Sequence, residues 1–150
     1  MIWLTRIICL LIFSLAPTVL FAGAVDEARA VVERWSAAYT SNDPEVVVTN
    51  YAPDAILLGT VSPVMSEGTE AIRKYFSPLK GSGNKNAIGE TREILIGENA
   101  VLVTGFYEFT SMVDGKPTAR PSRFTMLVTN RDGQWRISHH HSSPRVQPAK

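Results

Sequence analysis

Arg123-Phe124-Thr125-Met126-Leu127-Val128-Thr129-Asn130-Arg131-Asp132-Gly133-Gln134-Trp135-Arg136-Ile137-Ser138-His139-His140-His141-Ser142-Ser143 reads as two strands around a turn, the second ending in the only histidines of the chain. Asp132-Gly133 lies between runs rich in β-branched and aromatic residues. Such a dipeptide is the strongest short-range hairpin signal, because a primed turn needs positive φ and Gly supplies it. On the second strand the period-2 rule puts Trp135, Ile137, His139 and His141 on one face and Arg136, Ser138, His140 and Ser142 on the other. A polar end to a half-buried strand suits the mouth of a cavity, and equally a strand running out into solvent.

Upstream of this hairpin the same pattern repeats. From Lys85 onward long strands are separated by the turns Gly97-Glu98-Asn99 and Asp114-Gly115, which predicts an antiparallel meander. Along Val101 to Val113 apolar residues occur on both faces: Val101, Val103, Tyr107 and Phe109 against Leu102, Phe106 and Met112. Neither face of this strand can be plainly solvated, so one is expected to pack on a helix and the other on a second copy of the sheet.

The helices come earlier. Ala28, Val31, Val32, Trp35, Ala38 and Tyr39 follow the i, i+3, i+4, i+7 rhythm of an amphipathic helix, with Asp26, Glu27, Arg29, Glu33 and Arg34 on its wet side. Asp43-Pro44 restarts the chain as an N-cap and first helical residue of a short helix running toward Tyr51. Pro53-Asp54 reads as a break before the apolar strand-length run Ala55-Ile56-Leu57-Leu58-Gly59. Ile72, Tyr75, Phe76 and Leu79 share one helical face, Pro78 limits that helix, and Gly81 to Asn84 is a loop.

The start of the chain reads as an export signal: Arg6, an apolar run from Ile7 to Leu20, and the small-residue cleavage pattern Ala22-Gly23-Ala24. Residues 1–24 are therefore expected to be removed, leaving Val25 as the mature start, one domain over 25–144 and a flexible tail over 145–150. The destination is secreted or periplasmic, with no membrane span once the signal is gone. The only cysteine, Cys9, leaves with the signal, so disulfides, thiolate metal sites and a Cys nucleophile are not expected. Loss of Arg6 takes the formal charge from +1 to zero, which removes the electrostatic case for nucleic acid or anionic lipid as a partner.

Helices followed by a curled antiparallel sheet is the order of the α+β cone called the nuclear transport factor 2-like or cystatin-like fold. The likeness extends to residues. Leu95-Ile96-Gly97-Glu98-Asn99, the Gly115-x-Pro117 step, Ser122, Thr125, Arg131-Asp132-Gly133-x-Trp135 and His139-x-His141-x-Ser143 resemble the C-terminal half of the association domain of calcium/calmodulin-dependent protein kinase II. Val64 to Gly68, followed by a helix with Tyr75-Phe76, resembles its first half. The chain is also similar to the bacterial SgcJ/EcaC group of the same superfamily, through Tyr51 to Ala55, Gly68 to Ile72 and the terminal His-His-His-Ser-Ser.

The resemblance implies a pocket between sheet and helices, in a fold that hosts isomerases, dehydratases, epoxide hydrolases, ligand binders and assembly modules. In the kinase association domain that pocket carries arginines. The places they occupy fall here on Tyr107, Met126 and Ser142, and a pocket histidine falls on Lys85, so an arginine cluster cannot be carried over. Arg120 and Arg123 lie nearby in sequence, as pocket residues or as exposed edge arginines.

Consecutive strand residues point to opposite faces, so of the three histidines only His139 and His141 could converge on a metal, and no native metal site is expected. A histidine near its ordinary pKa could act as general acid or base. His140 is the first choice because it shares a face with Ser142, with His139 and His141 kept as candidates because a β-bulge would exchange the faces. Tyr39, Tyr107, Glu108 and Ser142 are candidate polar partners, Tyr39 equally a core residue of the first helix. There is no Gly-x-Ser-x-Gly elbow, phosphate loop or dinucleotide fingerprint, and no cofactor is expected. The leading expectation is an exported homodimer or higher homo-oligomer that binds an unidentified small molecule and could carry out a cofactor-free isomerase- or hydratase-type proton transfer. The rival is an assembly module without catalytic activity.

Overall fold

The rhythm of apolar residues near the start closes into α1 (Pro17–Thr40) in the computed structural model, which describes residues 17–146. Ala28, Val31, Val32, Trp35 and Ala38 are buried on its inner face, while Glu27, Arg29, Glu33 and Arg34 are exposed. Of the expected leader, residues 1–16 lie outside the described residues, and Pro17 to Ala24 form the first part of α1. A left-handed residue, Asn42 with φ 62°, turns the chain out of α1. The Asp43 carboxylate then accepts the Glu45 N–H at 2.9 Å and caps α2 (Pro44–Val48), an interaction worth about 1 kcal/mol.

β1 (Tyr51–Leu58) begins earlier than the sequence suggests, because Pro53-Asp54 lies inside the strand and does not break it. The two residues are exposed and are absorbed by a shift in pairing between Tyr51 and Ile56, the kind of irregularity at which a strand tolerates Pro. A short β2 (Ser66–Glu67) leads into α3 (Gly68–Phe76), which Pro78 ends in a 3-10 turn over Ser77–Leu79. Ile72, Phe76 and Leu79 are buried there and Tyr75 partly so, all four on the expected face.

Three hairpins follow: β3 (Lys85–Gly97), β4 (Ala100–Val113), β5 (Lys116–Arg131) and β6 (Gln134–Pro144). Asp114-Gly115 and Asp132-Gly133 have φ of 50°, 74°, 53° and 78°, the primed turns anticipated. The sheet order is β2-β1-β6-β5-β4-β3. β1 pairs with β6 in parallel, so the expectation of an antiparallel sheet is corrected to a mixed one. The meander is indeed antiparallel throughout. The parallel pair joins strands far apart in the chain, and no local residue pattern records the direction in which such strands meet.

Bulges curl the sheet around α1. Between Ile88 and Thr91 β3 carries one residue more than β4, opposite Phe106. Just there Gly105 passes so close to β3 that a Cβ would stand 2.3 Å from the Glu90 carbonyl oxygen and 3.0 Å from Thr91 Cα. A second bulge places Ser138 as the extra residue of β6 between the Val128–Ile137 and Leu127–His139 pairs. Inside the curl lie Val101, Val103, Tyr107, Phe124, Met126, Val128, Ile137 and His140, closed off by Trp35 of α1. Arg145, assigned above to the flexible tail, is held: its N–H donates to the Pro121 carbonyl at 2.9 Å and its guanidinium lies 4.1 Å from the centre of the Phe106 ring. Among the described residues no helix is long and apolar enough to cross a membrane.

Candidate functional site

The bulge at Ser138 decides what β6 presents to the interior. Ile137 is buried with Val128, and after the extra residue His140 and Ser142 resume the inner face, paired with Met126 and Phe124. The expected grouping is thus half right. His140 and Ser142 point inward while His139 and His141 are on the outer face, but Ile137 belongs with His140, and Ser138 turns outward to bond Thr129 Oγ1 at 2.5 Å. The face exchange foreseen for a bulge occurs upstream of the histidines, so their assignment survives it.

His140 is 1% exposed and meets the edge of Trp35 at 5.0 Å between centroids, with the rings 89° apart. Tyr51 Oη lies 2.8 Å from its Nδ1 and Tyr107 Oη 3.3 Å from its Nε2. The indole Nε1–H of Trp35 donates to the same Tyr51 oxygen at 2.9 Å. Tyr107 also donates to Ser142 Oγ, which contacts Thr60 Oγ1. Six polar groups from α1, β1, β4, β6 and the segment after β1 therefore form one continuous row, buried at the Trp35 end and half-exposed at Thr60.

Burial, and secondarily the neighbouring His139 and His141, push the His140 imidazolium pKa down to about 3. Burial likewise raises the Tyr107 hydroxyl far above a phenol's ordinary value, against the opposing bonds from Ser142 and Thr60. Tyr51 is raised for the same reason. The row of polar groups is thus neutral through the whole physiological range, and the expectation that His140 titrates as an ordinary histidine is corrected. A neutral imidazole with Tyr51 Oη against one ring nitrogen and Tyr107 Oη against the other is poorly placed to abstract a proton from a ligand, but it can pass polarisation along the hydroxyl row.

A cavity of about 60 Å³ opens beside this row, walled by Trp35, Tyr39, Phe76, Tyr107 and Phe109, with Thr60, Tyr75 and Arg120 at its edge. Tyr75 lies across Gly59, in the space any side chain there would need. Among the described residues no carboxylate lines the cavity, and Arg120 is the only charged residue there. Of the expected ligand-binding residues, Tyr39, Tyr107 and Ser142 line it. Met126 is buried in the core on the inner face but does not border it. Lys85 is exposed at the start of β3 and does not line the cavity, because it pairs with Thr110 while the next residue, the buried Asn86, takes the inward place opposite Phe109. Arg123 is on the outer face, bonded to Ser143 Oγ at 3.2 Å. Its odd-numbered place on β5 faces outward with Thr125, and the even-numbered Arg120 faces inward with Ser122 and Phe124. Sequence reasoning also missed Trp35, Tyr51, Thr60 and Tyr75 as site residues. Trp35 and Tyr75 were visible only as positions on the inner faces of helices, and nothing local marks Tyr51 and Thr60, which reach the site from β1 and the segment after it.

The SnoaL-like domain model matches residues 28–147. Among solved structures, a protein of Xanthomonas campestris assigned to the calcium/calmodulin-dependent protein kinase II association domain is 33% identical, over 79% of this chain and 86% of that one, with a TM-score of 0.74. A Caulobacter vibrioides protein described as having a cystatin-like fold is 20% identical, covering 84% and 92%, at TM-score 0.72. A scytalone dehydratase assignment from Novosphingobium aromaticivorans is 13% identical, covering 87% and 89%, at TM-score 0.77. The last two likenesses are of fold. No curated protein sequence matches the chain.

Proposed function

The chain belongs to the SnoaL-like domain family, within the nuclear transport factor 2-like fold, and we propose that it is an exported, dimeric protein that binds a small molecule between α1 and the curled sheet. One observation carries this reading: a row of buried polar groups, satisfied by one another, ends at the rim of an aromatic cavity. A core needing only stability would be filled with apolar side chains, and a polar row ending at a cavity is what a binding site requires. The neutral His140 and the carboxylate-free lining favour binding and polarisation of a ligand over abstraction of a proton from it. A fragment library screened by ligand-observed NMR is expected to give hits that compete for one site and weaken at least about tenfold in Tyr107→Phe, the loss of one well-placed hydrogen bond. An absence of hits, or hits indifferent to that substitution, would count against the proposal.

The rival reading, an assembly module, is favoured by the 33% identical association-domain relative and by the outer face. Ile94, Ile96, Phe106 and Met112 stand exposed there, Ile96 at 60% and Met112 at 57%. The two readings are compatible, since the cavity and the apolar patch are on opposite faces of one sheet. Export rests on the start of the sequence, and cleavage after Ala24 would trim α1 to begin at Val25. Native mass spectrometry of exported protein tests both points at once, with twice the mass of residues 25–150 expected. A monomer, or a chain retaining Met1, would refute the corresponding half.

A further inference from the structure

The row of polar groups has a direction. An indole N–H can only donate, and that of Trp35 donates to Tyr51 Oη. At the other end Tyr107 donates to Ser142, so its contact with His140 needs the ring hydrogen on Nε2, and Nδ1 is left to accept the hydrogen of Tyr51. A neutral imidazole that accepts at Nδ1 carries its hydrogen on Nε2, which faces Tyr107 Oη. Tyr107 then donates to Ser142, and Ser142 and Thr60 share the last contact. Each of the six groups brings one hydrogen, and they are joined by five bonds. One hydrogen is left over, at the Ser142–Thr60 end, where the row meets the cavity.

We infer that the cavity recognises its ligand through a hydrogen-bond acceptor, a carboxylate or carbonyl oxygen taken by the surplus hydroxyl hydrogen of Thr60 or Ser142 and by the guanidinium of Arg120, with the aromatic walls holding the apolar remainder. This rests on the small-molecule reading above and adds the chemical class. A donating hydroxyl keeps a lone pair, so the direction of the row alone biases the choice. Arg120 adds to the bias because a guanidinium has donors and no acceptor. It makes no salt bridge among the described residues, and no Asp or Glu borders either the cavity or the adjoining depression formed with Asn84, Pro78 and Leu79. Its charge is felt at the rim, where it opposes the rise that burial imposes on the Tyr39 and Tyr75 hydroxyls. A cationic ligand would meet Arg120 unopposed by any acid.

Two pairs of planar isosteres of opposite polarity test this: acetate against acetamidinium, and benzoate against benzamidinium, titrated into the whole protein and followed by amide chemical shifts. At least one carboxylate is expected to bind about tenfold or more tighter than its amidinium counterpart, which corresponds to about 1.4 kcal/mol. Arg120→Gln should erase most of that preference and Thr60→Val a smaller part of it. In histidine-labelled protein, the nitrogen shifts of His140 should report hydrogen on Nε2 alone. Equal or tighter binding of the amidinium, or an Nδ1-protonated His140, overturns the inference. If neither charged pair binds while uncharged fragments without an acceptor do, the acceptor rule falls and the binding reading stands. If nothing binds at all, the binding reading itself falls.

Discussion

Lowering the pH from 6.5 to 5 is expected to cost the folded protein about 2 kcal/mol, at about 1.4 kcal/mol per pH unit, through His140 alone. In the unfolded chain this histidine takes up a proton near its ordinary value of 6.5, whereas in the fold it stays neutral down to about 3. Between those values the unfolded state binds the extra proton, so stability rises with pH. The contribution is complete above 6.5 and is lost progressively as pH falls toward 3. Carboxylates obscure this only at lower pH, since Glu93 and Asp54, held below the ordinary carboxylate range by Arg29 and Arg131, begin to matter beneath the window used. Urea unfolding at pH 7, 6 and 5 reads the slope directly, and His140→Gln should flatten it. A slope of zero in the unsubstituted protein over that range would mean that His140 is hydrated and charged, and the polar row would have to be redrawn.

The second large effect is expected at Gly105. Alanine there should destabilise the protein by about 3 kcal/mol, at the upper end of overpacking. Its Cβ would stand 2.3 Å from a carbonyl oxygen and 3.0 Å from a Cα of β3. Both are backbone atoms in a paired strand, so relief requires β3 and β4 to part at the bulge that bends the sheet. Gly97 is the control, since nothing lies within 4 Å of a Cβ built on it, and Gly97→Ala should change stability by less than about 1 kcal/mol. Denaturation midpoints for the two variants suffice. A Gly105→Ala protein as stable as the Gly97→Ala protein would mean that this bend is not fixed by close approach.

Much of the fold was legible because its signals are local. Asp114-Gly115 and Asp132-Gly133 state their turns in two residues, the α1 face repeats along six, and Asp43-Pro44 marks a helix start by itself. The inward direction of His140 was legible from alternation counted back from Ser142. What escaped is non-local. The parallel β1–β6 pair, the continuation of β1 through Pro53 and the extra residue at Ser138 all depend on a partner strand, which no window of sequence contains. The site suffered in proportion. Tyr107 and Ser142 lie on strands whose faces could be counted, but Tyr51, Thr60 and Tyr75 join them only through the β1–β6 pairing and the placement of α3 above it. Of the two arginines weighed for the pocket, Arg120 faces inward and Arg123 outward, because three residues along a strand reverse a side chain completely.

The place of β6 in the sheet has a consequence for the order in which the protein can be made. β6 is the last of the six strands along the chain, yet it lies between β1 and β5, with Leu57 opposite His140 and Thr125 opposite His141. During synthesis β1 and its neighbour β2 emerge with nothing to join them to the later meander, and the ribosome must deliver the residues around His140 before the two parts become one sheet. The slow step of folding is then expected to be the closure of a loop of some eighty residues, a high-contact-order event that cannot begin before β6 itself has been made. Until then the edges of β1 and β5 that receive β6 stay unpaired and open to other strands.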